Sequence, residues 1–457
     1  MGVITLKQAA AWCGGSVEEK YADVTFLGAG NDTRALEPGQ LFVALQGARD
    51  GHDFIPAAME KGAAAVLCSR RVGDYPAIVV DNPRIALGKI AREEVRRIGM
   101  KVVAVTGSVG KSTTKEMIAR VLESTYVTCR TPANHNNDIG MPMAILAMGE
   151  DTQVAVLEMG MNHFREIAYL SRIALPDMAV IVNIGTSHME YLGSQEGIRK
   201  AKMEILEGME PQGKLFLNGD DVMLKNLPQL PVQPITYFGT EEGCRVRGTD
   251  IRLEPGKTCF TLEWDGEKCP VELGLEGRHY VNDALAAAAV GLAMGVSGEK
   301  IAQSLRTFRN LAGRQETFEA QGFTIIRDCY NAGPESMAAA LAVLGARKGR
   351  RIAVLGDMLE LGVCTQAEHY RIGRIAAENA DLLFAFGPNA DRVASGALTG
   401  GMPQGNIGSY TDRDALTAEL KRAARPGDVL LFKGSRGMRM EQILDAFLSK
   451  DTEDAAK

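Results

Sequence analysis

The residues with the most definite chemistry lie in VVAVTGSVGKSTTKEM, positions 102–117. Gly107 and Gly110 permit backbone angles that turn N–H groups of the loop, Ser108 and Val109 included, toward one point. A helix starting at Lys111 adds the positive end of its dipole. Lys111 supplies a full positive charge for β- and γ-phosphates, and Ser112, followed by Thr113, offers a hydroxyl to Mg²⁺. The spacing is shortened: the familiar G-x-x-x-x-G-K-[ST] pattern needs glycine at 105, where Val105 stands. A plain glycine turn with a solvated lysine is the simpler alternative. The apolar strand before the loop and the helix after it favour nucleotide binding. The chain lacks an N-K-x-D base-recognition motif, which argues against a GTP switch.

Three further polar residues stand at or just beyond strand ends. Glu158 closes VAVLE, His188 follows AVIVNIGTS, and Lys202 lies in GIRKAKMEI. Ligand sites in parallel sheets form at the carboxyl ends of strands, which places Glu158 well for a metal facing the phosphate loop. The competing readings are a helix cap for Glu158, a loop histidine for His188 and a solvated helix lysine for Lys202. Taken singly, the competing readings prevail for His188 and Lys202.

Short β-branched runs alternate with helical segments almost throughout. LFVAL (41–45), AIVV (77–80), VVAV (102–105), AVIV (179–182), IAVL (352–355) and VLLF (429–432) are apolar on both faces. Such strands are covered on both sides, so an α/β fold with mostly parallel sheet is expected. Residues 236–275 become alternating and turn-rich, which predicts inserted antiparallel strands. Breaks near 98–101 and 311–316 divide the chain into three expected domains: 1–99, 100–312 as a central phosphate-loop domain, and 313–457 as a Rossmann-like domain. The tail SKDTEDAAK is expected to fray.

Composition sets the remaining bounds. The 457 residues are 46% apolar and 24% charged, as in ordinary globular proteins. A net charge of -6 argues against a dedicated nucleic-acid binder, which needs a basic face. The eight cysteines form no C-x-x-C pair, which predicts reduced and mostly buried thiols. MGVITLKQAAAWCGG makes a poor signal peptide, and ALAAAAVGLAMG (284–295) is too short to cross a bilayer, which takes ~20 residues. It reads as a core helix.

The phosphate loop, EMGMNH (158–163), NIGTSHMEYLGS (183–194) and AKMEI (201–205) together resemble the Mur ligases, ATP-dependent amide ligases of cell-wall precursor synthesis. Their phosphate loop has this same shortened form. The resemblance implies two Mg²⁺ ions, one held by Ser112 and Glu158 and a second involving His188, and it implies that Lys202 is carbamylated. A carbamate is an anionic oxygen ligand of the kind hard cations prefer, whereas an ammonium is not a ligand.

NDTRALEPGQLFVALQGARDGHDFI (31–55) resembles the family's uridine-nucleotide segment, with Asp32, Thr33 and Arg34 as its signature. Arg34 could serve a diphosphate bidentately; its plainer reading is a surface ion pair with Asp32. TPANHNNDIGMP (131–142) brings Asn134, Asn136 and Asn137 into a loop before a helix. DCYNAGPESM (328–337), LGDMLELG (355–362) and KGSRGMRMEQIL (433–444) resemble the branch that joins D-alanyl-D-alanine to UDP-N-acetylmuramoyl-tripeptide. By that resemblance Asn282 and Arg314 approach the nucleotide, Asp328 takes the ribose hydroxyls, and Tyr330 and Asn331 flank the adenine. Lys433, Ser435 and Arg436 would bind an anionic group of the dipeptide. Helix capping for Asn282 and a strand-end turn for Asp328 are the simpler alternatives.

Two departures from the family pattern stand out. Phe164-Arg165 replace a usual Pro-Gly, and Gly333 replaces a usual Asn. The implied protein is a cytoplasmic monomer, with no membrane span. Two rivals share the phosphate loop. A folylpolyglutamate synthetase-like ligase would lack the first domain, and a phosphate-loop ATPase would need no amine acceptor.

Overall fold

The computed structural model describes residues 3–254 and 256–449. Of the tail expected to fray, residues 449–457, all but Ser449 lie outside the described residues.

The central unit is a nine-stranded sheet. Its strand Lys101–Thr106 runs parallel to Val154–Glu158 on one side and to Met178–Ile181 on the other. The strand pattern explains why. Val102 and Ala104 belong to one apolar cluster and Val103 and Val105 to another, so successive side chains feed cores on opposite faces. Helices Lys111–Leu122 and His279–Ala293 cover the second face. Ala284–Ala289 are buried there, which makes the alanine-rich run a core helix. No helix among the described residues is long and apolar enough to cross a membrane.

Antiparallel pairing starts later than residue 236. Ile235–Gly239 is parallel to Lys214–Asn218, and Val246–Glu254 joins it in parallel. Only Val246–Glu254, Lys257–Trp264 and Glu267–Leu273 form an antiparallel meander, which extends the same sheet at its edge. Ile235–Gly239 returns beside its predecessor after the intervening helix Val222–Lys225, a crossover that yields parallel strands.

The first unit carries a four-stranded parallel sheet and the helix Pro83–Ile98. Asn82 caps that helix by accepting from Arg84 and Ile85 N–H groups, and left-handed Gly99 ends it. Leu41, Leu67, Leu87 and Ile90 share one cluster with Val102, Ala104 and Leu157, so this unit and the central sheet have a continuous core.

The C-terminal unit has a six-stranded sheet and its own clusters. Val429–Lys433 lies between Phe323–Asp328 and Arg351–Gly356, and all three are parallel. That order makes a switch point where the loops after these strands meet.

The eight cysteines are free. Cys13, Cys68 and Cys329 are buried and the other five half-buried, fewer in the interior than their types suggested. Three of the half-buried ones (Cys244, Cys259 and Cys269) sit in or beside the peripheral meander, which has one core face.

Candidate nucleotide-binding cleft

A cleft of ≈ 800 Å³ opens between the central and C-terminal units, with the phosphate loop along one wall. Gly110 is left-handed, φ 84°, and any Cβ there would stand 2.7 Å from Asp283 Oδ1. Both facts demand glycine. The amides of Ser108 and Val109 donate to Asn183 Oδ1 at 3.0 and 2.9 Å, and Asn183 Nδ2 donates back to Val109 O at 2.9 Å. These amides are therefore committed to bracing the loop. The first helical backbone bond is Thr114 N to Gly110 O, so the amides of Lys111, Ser112 and Thr113 are those left to face an anion. Lys111 Nζ donates to Gly107 O and Ser108 O at 2.8 and 3.1 Å. Burial lowers its pKa; the charge of Glu158 opposes that and Arg314 adds to it.

Glu158 ends its strand at 2% exposure. Its Oε1 accepts from Asn136 Nδ2 at 2.9 Å, and its buried Oε2 has no partner. An orphaned carboxylate oxygen on a residue that lines the cleft with Ser112 and Lys111 fits a hard cation. Among the described residues no three His, Cys, Asp or Glu converge on one point, so such an ion would draw its other ligands from hydroxyls and phosphates. His188 lines the cleft from a left-handed backbone, φ 65°. Its Nδ1 is 2.7 Å from Glu360 Oε2, an ion-pairing contact off the line of a good hydrogen bond. Lys202 is 2% exposed, and burial, with repulsion from Lys111, drives its pKa well below the ordinary value.

From the C-terminal side, Arg314 Nη2 donates to Ser112 Oγ at 2.9 Å, and its guanidinium lies 3.9 Å from the Tyr330 ring centroid. Buried Lys433 pairs with Asp328 at 2.7 Å and donates to Asn331 O at 3.0 Å. Asp328, Tyr330, Asn331 and Lys433 all line the cleft. Ser435 and Arg436 do not. Ser435 Oγ is used up between Ala332 O and Leu359 N, and Arg436 is an exposed partner of Glu441.

The remaining predicted residues are divided between the cleft and other places. Asn137 lines the cleft while accepting from Gly140 N at 2.8 Å; Asn134 is exposed and outside it. Asp32, Thr33 and Arg34 are in the first unit, away from the cleft, with Arg34 paired to Asp32 at 2.6 Å. Asn282 faces a separate recess beside Thr240 and Ala342. Its neighbour Asp283 faces the phosphate loop instead, accepting from Thr114 Oγ1 at 2.9 Å, with burial raising its pKa to about 7. Arg165 holds a left-handed backbone, φ 75°, where the resemblance has glycine, and its side chain is tied to Glu207 at 3.0 Å. Gly333 is extended, and an added Cβ would make only a 3.4 Å contact with Ser187 Oγ.

The sequence reading missed Asp283, Asn183 and Asn310. Asn310 links Thr113, Tyr280 OH and Arg314 O. It also missed His279, which lines the cleft and is kept neutral by burial, its pKa lowered to about 4. Only helix phase could have exposed Asp283, since successive helical residues point ~100° apart.

Family models match in chain order: the Mur ligase family catalytic domain over residues 24–109, the Mur ligase middle domain over 105–291 and the Mur ligase glutamate ligase domain over 313–436. The UDP-N-acetylmuramoyl-tripeptide–D-alanyl-D-alanine ligase of Bacillus subtilis is 40% identical over 451 residues, covering 96% of this chain and 97% of that protein. A crystal structure of MurF from Acinetobacter baumannii superposes with a TM-score of 0.90 at 32% identity, covering 98% of this chain and all of that one. The MurF ligase of Thermotoga maritima in complex with ADP gives a TM-score of 0.82 at 30% identity, covering 94% and 99% of the two chains. With this architecture and these relatives, the chain belongs to the Mur ligase family and is an ATP-dependent amide ligase.

Proposed function

We propose that this enzyme joins D-alanyl-D-alanine to UDP-N-acetylmuramoyl-tripeptide through an acyl phosphate, making the pentapeptide precursor of peptidoglycan. The observation that carries the reading is the buried, unpartnered oxygen of Glu158, a residue that lines the same cleft between two units as Lys111 and Ser112. The naming of the B. subtilis relative supports the choice of substrates.

A carboxylate is a poor acylating agent because its leaving group would be oxide. The tripeptide carboxylate attacks the γ-phosphorus of ATP, and ADP leaves. The dipeptide amine then attacks the acyl carbon, loses a proton, and phosphate departs as the amide forms. Lys111 and the first-turn amides of its helix stabilise charge on the transferring group. Arg314 joins them from the C-terminal unit, while Tyr330, Asn331 and Asp328 line the nucleoside end. Two Mg²⁺ ions would neutralise phosphate oxygens, one held by Ser112 and Glu158, the other by His188 and the Lys202 carbamate. The depressed pKa of Lys202 supports that modification, since a neutral amine is the form that attacks CO₂ and then releases a proton.

The working domain limits are 1–99 for the uridine nucleotide, 100–312 for ATP and 313–457 for the dipeptide. Asp32, Thr33 and Arg34 would meet the uridine diphosphate. Arg34 can leave Asp32 readily, because the pair is exposed to water, which screens it. Lys433 serves as the anion-binding residue for the dipeptide. The proposed setting is the bacterial cytoplasm, with the enzyme a monomer.

Phosphate release measured with each substrate omitted in turn tests the reading. Release should need both the tripeptide and the dipeptide, and mass spectrometry should find the pentapeptide. Steady release from ATP alone, without amide product, would overturn it.

A further inference from the structure

LGDMLELG, residues 355–362, has no part in the chemistry described so far. It begins with the last two residues of strand Arg351–Gly356 and is fixed firmly from its own side. Buried Asp357 accepts from Asn389 Nδ2 at 2.7 Å, Met358 N donates to His369 Nε2 at 3.0 Å, and Leu359 N donates to Ser435 Oγ at 2.9 Å. Leu361 is buried. The tip is thus a rigid projection, and it reaches the central unit.

The contact is strained on both sides. Glu360 has φ 62° and His188, 2.7 Å from it, has φ 65°. A left-handed backbone is costly for a residue with a side chain, and such strain gathers at working sites. Gly362 lies so close to Glu190 that a Cβ would be 2.9 Å from Glu190 Cα, a backbone atom with no freedom to yield. A second grip lies alongside. Glu335, in the first turn of helix Pro334–Gly345, accepts from Thr186 N and Oγ1 at 3.0 and 3.1 Å.

The gripped segment is the one that braces the phosphate loop. Asn183 holds Ser108 and Val109, and Gly185 N donates to Ser108 Oγ at 2.9 Å. Residues 183–188 therefore touch the nucleotide loop on one side and two carboxylates of the C-terminal unit on the other. With Nδ1 turned to Glu360, His188 has Nε2 left for the cleft, since a partner on one ring nitrogen orients the other.

We propose that Glu360 is a positioning residue: together with Glu335 it grips residues 183–188 when the C-terminal unit docks, aims His188 into the cleft, and so makes phosphoryl transfer depend on docking. The reaction it controls is the ligation proposed above, while the grip itself stands on geometry alone.

The test pairs kinetics with a distance. Glu360→Ala should lower kcat about 10–100-fold. KM for ATP should stay within about threefold, because the loss falls on a state formed after binding. Glu360→Asp should recover part of the rate, since it keeps the carboxylate that pairs with the His188 ring. Spin labels on the central and C-terminal units, without ligands, should show a longer and broader distance in the Glu335→Ala/Glu360→Ala double variant. A kcat for Glu360→Ala within about twofold of the parent, or an unchanged distance distribution, would overturn the proposal. If the parent enzyme forms no amide, the ligase reading fails, and the distance measurement still decides the grip.

Discussion

Helix Pro83–Ile98 of the first unit meets the central unit through Leu87, Ile90 and Ala91, all buried in the cluster that holds Val102 and Leu157. The C-terminal unit meets the same central unit through Arg314 on Ser112, Glu335 on Thr186 and Glu360 on His188. Among the described residues, its two core clusters contain none of the central unit, and Cys364 is its one apolar side chain packed against the shared core. The difference is physical. Parting the first seam would expose close-packed apolar surface, whereas parting the second exchanges polar contacts for water at small net loss. One seam is built to stay shut and the other to open. The ligands of the proposed reaction must enter and leave at the second, where Lys111, Glu158 and Arg314 all face the cleft.

Variants at the two seams should therefore fail in different ways. Lys111→Ala, at the polar seam, should cut the rate of ADP release by about 10³-fold or more, while the melting temperature stays near that of the parent. Ile90→Ala, at the apolar seam, should do the reverse. It should lose about 2–5 kcal/mol in urea unfolding, with kcat per folded molecule unchanged. Equal losses of rate in the two would erase the distinction.

Asp283→Asn probes the central unit beneath the phosphate loop, and its effect depends on pH. The folded carboxyl is raised from 3.8 to about 7, so folding favours its neutral form. The wild-type penalty is absent below the ordinary carboxyl pKa of 3.8, grows as pH rises toward 7 and is constant above. The asparagine variant should then be the more stable by on the order of 4 kcal/mol at pH 8, with no gap at acid pH. Melting curves across that range check the sign. The smallest change is expected from Gly333→Ala at the polar seam. Its Cβ makes an ordinary 3.4 Å contact, so stability should move by no more than about 0.5 kcal/mol and the rate should hold.

Legibility followed the length scale of the interactions. The phosphate loop was readable because its strand, glycines, lysine and helix are contiguous, and Glu158 because a strand end fixes where a side chain points. The both-face apolar runs gave the parallel sheets for the same local reason. Asn282 and Asp283 were not separable, because one residue of helix phase sends them to different cavities. The antiparallel meander was expected too early, since Ile235–Gly239 carries the same alternation yet pairs in parallel after a crossover. Ser435 read as an anion ligand, but its hydroxyl is spent between two loops that only the folded C-terminal unit brings together. Glu360 and Glu335 were silent, because their partners lie in another unit more than a hundred residues away.

The account turns on an acyl phosphate formed from the tripeptide carboxylate. Tripeptide labelled with ¹⁸O in that carboxylate, turned over with ATP and D-alanyl-D-alanine, tests it directly. One labelled oxygen should appear in each inorganic phosphate released. Phosphate free of label, formed alongside new amide, would contradict the mechanism.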